Sequence, residues 1–180
     1  MANVVLKLTG FEQAIATLKN PAKPMVRAIN RSAESGRTLG ARLVAADMGL
    51  KVGAAKEFIY VRKATDGKLE AVISASAKRV PVFDFNARGK EPSRGKGSGV
   101  RARTKTGRYP TAFIATMPST GHRGVFQRKD GAPRLKIYEL FDISIWTSFN
   151  KQRGEIEARV QEQLDKNVAS EINYALSRAR

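Results

Sequence analysis

The chain has no cysteine and a single histidine, His122, in 180 residues. Without cysteine there is no zinc ribbon, no thiol catalysis and no disulfide framework, which fits folding in a reducing cytoplasm. One histidine also excludes metal sites built from clustered His and Cys, so no metal or other cofactor is expected. No apolar run approaches the ~20 residues that cross a bilayer. The opening Met1-Ala2-Asn3-Val4-Val5-Leu6-Lys7 has neither a basic start nor a long apolar stretch, so no membrane partner and no secretory signal are expected. Acids are scarce as well: 16 Asp plus Glu face 33 Lys plus Arg, a net charge of +17.

That charge is uneven. Residues 1–60 carry nine basic and four acidic side chains, residues 61–150 eighteen and seven, and residues 151–180 six and five. The excess sits in the middle of the chain. A field this positive attracts polyanions whatever the fold, and it repels copies of the chain unless an anion or acidic partner intervenes. At this length a single core burying roughly 70% of the unfolded surface is within reach.

Asn3 to Leu8 alternates weakly, as a short strand would. A short helix is expected over Phe11–Leu18, stopped by Asn20-Pro21, and a longer one from about Pro24 to Asp47. The long helix places Met25, Ala28, Ile29, Ser32, Ala33, Gly36, Leu39, Gly40 and Leu43 at the three-and-four spacing of one buried face. Ser32, Gly36 and Gly40 are nearly free of bulk. Two helical glycines cost about 1 kcal/mol each relative to alanine, so another element should approach closely there, either the chain's own sheet or a neighbouring subunit. A further helix is expected over Val52–Tyr60 and a strand over Leu69–Ser74. Strands are also expected at Val80–Phe85, Thr111–Thr116 and Gly124–Lys129, the last closed by Asp130-Gly131, with Leu135–Phe141 strand-rich.

The chain ends on a helix from about Gly154 to Ser177, with Ile156, Val160, Leu164, Val168, Ile172 and Leu176 all four apart. Each step of four overshoots a full turn by about 40°, so the stripe rotates by roughly 200° along the helix. The helix must therefore wrap around its own domain or bury its halves against different partners. Ser32, Gly36, Gly40, Val168, Ile172 and Leu176 are the candidate subunit contacts. The fold class is α+β: mostly antiparallel sheet, a long helix in the N-terminal half, a basic glycine-rich β-arm and a long C-terminal helix. Residues 1–150 form the domain, and 151–180 pack on it or on a neighbour.

The arm is residues 86–110. It holds Arg88, Lys90, Arg94, Lys96, Arg101, Arg103, Lys105 and Arg108 against Glu91 alone, with five glycines among them. Val100, Ala102 and Thr104 alternate with Arg101, Arg103 and Lys105, which predicts a strand with one basic face. Such an arm is a solvated loop, a contact for an acidic neighbour, or a contact for nucleic acid. It lacks the interleaved aromatics of a single-strand binder. Catalysis has no support. His122 lies near Ser119 and Asp130 in sequence, but no Gly-x-Ser-x-Gly elbow accompanies them. Gly95-Lys96-Gly97-Ser98-Gly99 lacks the Gly-Lys-Ser/Thr ending of a phosphate loop. Glu155, Glu157, Glu162 and Asp165 share the last helix with Arg159 and Lys166 as a solvated face.

Five segments in order carry a family resemblance: Ala28-Ile29-Asn30-Arg31-Ser32-Ala33; Val80-Pro81-Val82-Phe83-Asp84-Phe85-Asn86-Ala87-Arg88; Ala112-Phe113-Ile114-Ala115; Gly121-His122-Arg123-Gly124-Val125-Phe126-Gln127-Arg128; and Leu135-Lys136-Ile137-Tyr138-Glu139-Leu140. Together they resemble the phage minor tail protein Z family, also called tail completion proteins. The resemblance implies a non-enzymatic virion component in the tail and neck region, made in the host cytoplasm. It further implies a homo-oligomer, a sixfold ring between tail-tube end or tail terminator proteins and head-tail connector proteins, around the channel that the DNA end crosses. Phe113, Ile114, Val125 and Phe126 are then core residues first. The competing reading is a basic nucleic-acid-binding or assembly factor absent from the virion.

Overall fold

Two long helices carry the architecture, and both follow from the spacing of their apolar residues. The computed structural model describes residues 3–7, 22–91, 99–129 and 136–177. The helix expected over Phe11–Leu18, the turn at Asp130-Gly131, and Arg94 and Lys96 lie outside these residues. Helix α1 spans Ala22–Met48. Pro24 is tolerated because N–H groups of the first turn have no intrahelical acceptor. The helix ends at Gly49, whose φ of +71° suits a residue without Cβ. The Leu50 N–H donates back to the Ala45 carbonyl at 3.0 Å, closing the end in the Schellman manner.

Along α1 runs the final helix, Arg153–Ser177, designated α4 once the short α2 (Val52–Glu57) and α3 (Ile145–Lys151) are counted. Ile156, Val160, Leu164, Val168 and Ile172 are buried, whereas Leu176 is 42% exposed. The geometry of the stripe explains both. As positions four apart rotate past the contact line, residues one place earlier move onto it, and Asn167 and Glu171 are buried in the C-terminal half. By Leu176 the stripe has left the face. A single chain therefore covers the stripe, without different partners for its two halves. The outer face of α4 is laced by Arg153–Glu157 at 2.7 Å, Arg159–Glu162 at 3.3 Å and Lys166–Glu162 at 2.6 Å.

Ser32, Gly36 and Gly40 are buried between α1 and its neighbours. A Cβ on Gly36 would lie 2.7 Å from Ile73 Cδ1 and closer still to Val160 Cγ2; on Gly40 it would lie 3.2 Å from Phe149 Cε2. The close approach that these residues permit is thus made inside one chain, not with a neighbouring subunit. Ser32 Oγ donates to the Ala28 carbonyl at 2.9 Å and accepts from Asn167 Nδ2 at 2.8 Å. Glu171, also buried, is paired with Arg27 at 2.7 Å. Asn30 exchanges two hydrogen bonds with the backbone of Ala64, at 2.8 and 3.1 Å. The Ala28–Ala33 segment is therefore a structural signature: Ala28 and Ile29 fill the core, Asn30 pins a loop, and Ser32 ties α1 to α4.

Among the described residues every strand pairing is antiparallel, spread over four small sheets. β1 (Asn3–Lys7), β3 (Glu70–Ala75) and β2 (Ile59–Arg62) lie in that order, with β3 central. Their buried residues Val4, Leu6, Ile59, Ala71 and Ile73 join the two helices in the first core. The helix expected over Val52–Tyr60 stops at Glu57, because Ile59 and Val61 find partners on β3. Arg37 donates to the Ile59 carbonyl at 2.7 Å and the Lys56 carbonyl at 3.0 Å, satisfying the end of α2.

A second core is built from the hairpin β8 (Ala112–Thr116) and β9 (Arg123–Arg128), extended by β10 (Ile137–Glu139). Ala112, Ile114 and Val125 point into it with Val82 and Val100. Phe113 and Phe126, also buried, pair across the hairpin with ring centroids 6.4 Å apart. Gly124 leaves room for Glu139, since a Cβ there would lie 2.7 Å from Glu139 Oε1. That same oxygen is 2.9 Å from His122 Nε2. The expected strand Val80–Phe85 divides. β4 (Arg79–Pro81) pairs with β11 (Phe141–Ser144), and Val82–Asp84 turn as a 3-10 helix beginning after Pro81. This stretch alternates between the cores: Val80 and Phe85 belong to the first, Val82 and Ala87 to the second, and Ala102 touches both.

Helix α3 is fastened to α1 through Asp47, which accepts from Ser148 Oγ at 2.6 Å and Lys151 Nζ at 2.8 Å. Lys151 first, then Ser148, hold its carboxyl below the ordinary 3.8. A depressed folded-state value gives stability that is present above the unfolded value near pH 4 and lost as pH falls through the folded one. Asp47→Asn is therefore expected to narrow the gap between the urea midpoints at about pH 6 and about pH 3. An unchanged gap would show that this carboxylate is not linked to folding.

Candidate functional site

Of the basic 86–110 segment, residues 86–91 and 99–110 are described, and they contribute three short strands that form a small sheet. β5 (Arg88–Gly89), β6 (Val100–Arg101) and β7 (Arg108–Tyr109) lie in that order, antiparallel. Apolar burial anchors these strands. Val100 is fully buried in the second core, with Ala102 and Tyr109 packed against it. A Cβ on Gly89 would come within 2.9 Å of Val100 Cγ2, so glycine is what lets β5 lie close. Gly107, at φ +67°, closes the following turn. Thr104 Oγ1 sits 2.9 Å from the Tyr109 hydroxyl and accepts from the Gly107 N–H.

The expected alternation survives this folding. Arg101, Arg103 and Lys105 are exposed, while Val100, Ala102 and Thr104 are buried or half-buried. Regular strand covers only the first two residues, because the Ala102 N–H turns to the Gly107 carbonyl at 3.0 Å. Arg88, Lys90 and Arg108 are also exposed. Register brings three of these cations into one row, since Arg88 lies opposite Arg101 and Arg101 opposite Arg108. Like charges directly opposite in a sheet are destabilising. Among the described residues, neither these three nor Arg103 and Lys105 make an ion pair.

Beside the row lies a groove of about 600 Å³ lined by Lys51, Phe83, Asn86, Arg88, Arg101 and Arg103, with Ala87 and Ala102 beneath. Four chain segments assemble it. Lys51 comes from the start of α2, Phe83, Asn86 and Ala87 from the turn after β4, Arg88 from β5, and Arg101, Ala102 and Arg103 from β6 and its continuation. Asn86, at φ 52°, is the sole non-glycine residue of positive φ among those described. Asparagine tolerates this region, and here its Nδ2 reaches the Gly49 carbonyl at 3.2 Å. The Arg103 N–H donates to the Phe85 carbonyl at 2.8 Å, and its side-chain stem passes over Gly49. The guanidinium of Arg123 lies 5.8 Å over the Phe83 ring. Nearby Asp84 is pushed up by burial, then by Glu57 and Glu139, with Lys51 partly offsetting.

Lys51, Phe83 and Asn86 escape a reading of local charge density, because Lys51 stands far from the basic segment in sequence. Of the other expected site residues, Ser32, Gly36, Gly40, Val168 and Ile172 lie in the first core, and Leu176 is at the surface. Among the described residues no group of three or more His, Asp or Glu is placed to hold a metal. No helix among them is long and apolar enough to cross a membrane. With three arginines and a lysine along its lining and no carboxylate, the arrangement is suited to holding an anion. Compared with known families, the chain matches the model of prophage minor tail protein Z (GPZ) over residues 8–179. No curated protein and no solved structure matches it.

Proposed function

We propose that this chain, which belongs to the prophage minor tail protein Z family and is thus a structural protein of a phage tail, completes the head-proximal end of that tail. In this reading several copies form a closed ring, hexameric in its simplest form, between the tail-tube end and the head connector. The observation that carries it is the family match along nearly the whole chain. Closed rings need a surface that a second copy or a tail partner can cover. The small-residue face cannot supply it, being consumed inside the chain. The apolar side chains left at the surface include Phe141 and Ile143 on β11, Trp146 on α3, and Leu176 at the end of α4, each 36–47% exposed. β11 pairs only with β4 among the described strands, so one edge remains open for a further strand. The unpaired cations would face a polyanion: the genome end, or an acidic ring above or below.

Copy number tests this reading. Quantitative mass spectrometry of purified, nuclease-treated particles against the main tail-tube protein should give a small fixed number, near six for a single hexameric ring. Absence from the particle would overturn the ring and leave the alternative that the unpaired cations favour, a basic assembly factor or nucleic-acid binder outside the virion.

A further inference from the structure

We infer that the groove between Lys51 and the β5–β6 strands binds the phosphodiester backbone of nucleic acid, through Lys51, Arg88, Arg101 and Arg103, with Arg108 extending the line. This deepens the reading of the basic face as a polyanion contact and rests on it. The row Arg88–Arg101–Arg108 places like charges opposite one another with no carboxylate between them. Lys51 and Arg103, from other parts of the chain, converge on the same groove. Such a cluster costs stability when empty. A ligand that relieves it must carry closely spaced negative charge with little positive charge mixed in. A nucleic-acid strand does so, with one charge per ~3.4 Å along each strand, whereas acidic protein surfaces intermix both signs.

The chemistry of the lining agrees. Three of the four groove cations are arginines, whose planar forks bind phosphate through two parallel hydrogen bonds. No carboxylate lines the groove. The Phe83 ring, which would be the platform for a base, already carries the Arg123 guanidinium on one face. The groove is accordingly built to hold the backbone and not to read bases, so binding is indifferent to sequence.

The test is a fluorescence-anisotropy titration of the purified full chain at several salt concentrations. Its probes are a labelled mixed-sequence duplex, the matching single strand, and polyglutamate of equal charge. With four to five phosphates engaged, log K should fall with log salt with a slope of about −4 on duplex and about −3 on single strand. Whichever strand form binds tighter identifies the source. Lys51→Gln and Arg101→Gln should each remove about 0.9 from the duplex slope and weaken binding about eightfold at 0.1 M salt. Lys78→Gln and Lys23→Gln remove the same charge from exposed sites outside the groove and should change affinity far less. Arg101→Lys should keep the slope while losing affinity. Equal losses at all four positions, or polyglutamate binding as tightly as DNA, would overturn the proposal. Because the measurement is made in solution, its outcome is independent of whether the chain forms a ring in the particle. Thermal melts of each variant separate lost binding from lost fold.

Discussion

Gly36→Leu is expected to lower stability by about 3 kcal/mol or more, the upper end for overpacking a filled core. For a chain of this size that is a drop in melting temperature of roughly 6–12 °C. The physical reason is the absence of space. Even one methyl group at this position would stand 2.7 Å from Ile73 Cδ1 and closer to Val160 Cγ2. Ile73 belongs to the central strand of its sheet and Val160 to α4, so a leucine has to push both away from α1. Replacing a helical glycine returns about 1 kcal/mol of propensity, too little to offset this. Gly40→Ala is the natural comparison, because its nearest atom would be Phe149 Cε2 at 3.2 Å. A ring that shifts by a few tenths of an ångström accommodates it, so the propensity gain and the crowding nearly cancel. Equal melting temperatures for Gly36→Leu and the parent chain, followed by circular dichroism, would show that α1 and α4 separate freely.

Phe149→Ala should cost about 3–5 kcal/mol in a urea titration, the range for deleting a buried aromatic ring. Phe149 is fully buried and comes from α3, the seven-residue helix between β11 and α4. It fills the space over Gly40 and stands beside Ser148, which is bonded to Asp47. Removing the ring leaves a cavity at the junction of α1, α3 and α4. A loss below about 1 kcal/mol would mean that the site collapses around the smaller residue.

The long helices were legible because twenty or more residues repeat one period, and such repetition outweighs local noise. So was the solvated charge on α4, whose ion pairs are between neighbours three and four apart. Helix α3 was not. Its buried residues Ile145, Ser148 and Phe149 follow helical spacing, but seven residues after a strand-rich stretch give too few repeats to declare it. Val80–Phe85 alternates as a strand should, yet tertiary pairing stops the strand at Pro81, where the Val82 N–H is taken by the Leu140 carbonyl at 2.9 Å. The basic segment was visible as charge and its alternating exposure was correctly placed. The docking of its described strands on the second core depends on Val100 finding that core, and the groove depends on Lys51 arriving from another region of the chain. The interface expected from Ser32, Gly36 and Gly40 shows the converse. Small residues announce close packing, but they do not say whose atoms come close.

The alternation of Val80, Val82, Phe85 and Ala87 between the two cores has a consequence for how the molecule comes apart. Two clusters joined by a plain linker would melt in separate steps. Here a run of eight residues is stitched through both, and Ala102 leans on each. Neither cluster can loosen without pulling side chains out of the other, so their disruption is a single cooperative event. For a tail component assembled this way, probes placed in either core are expected to report one coincident unfolding transition.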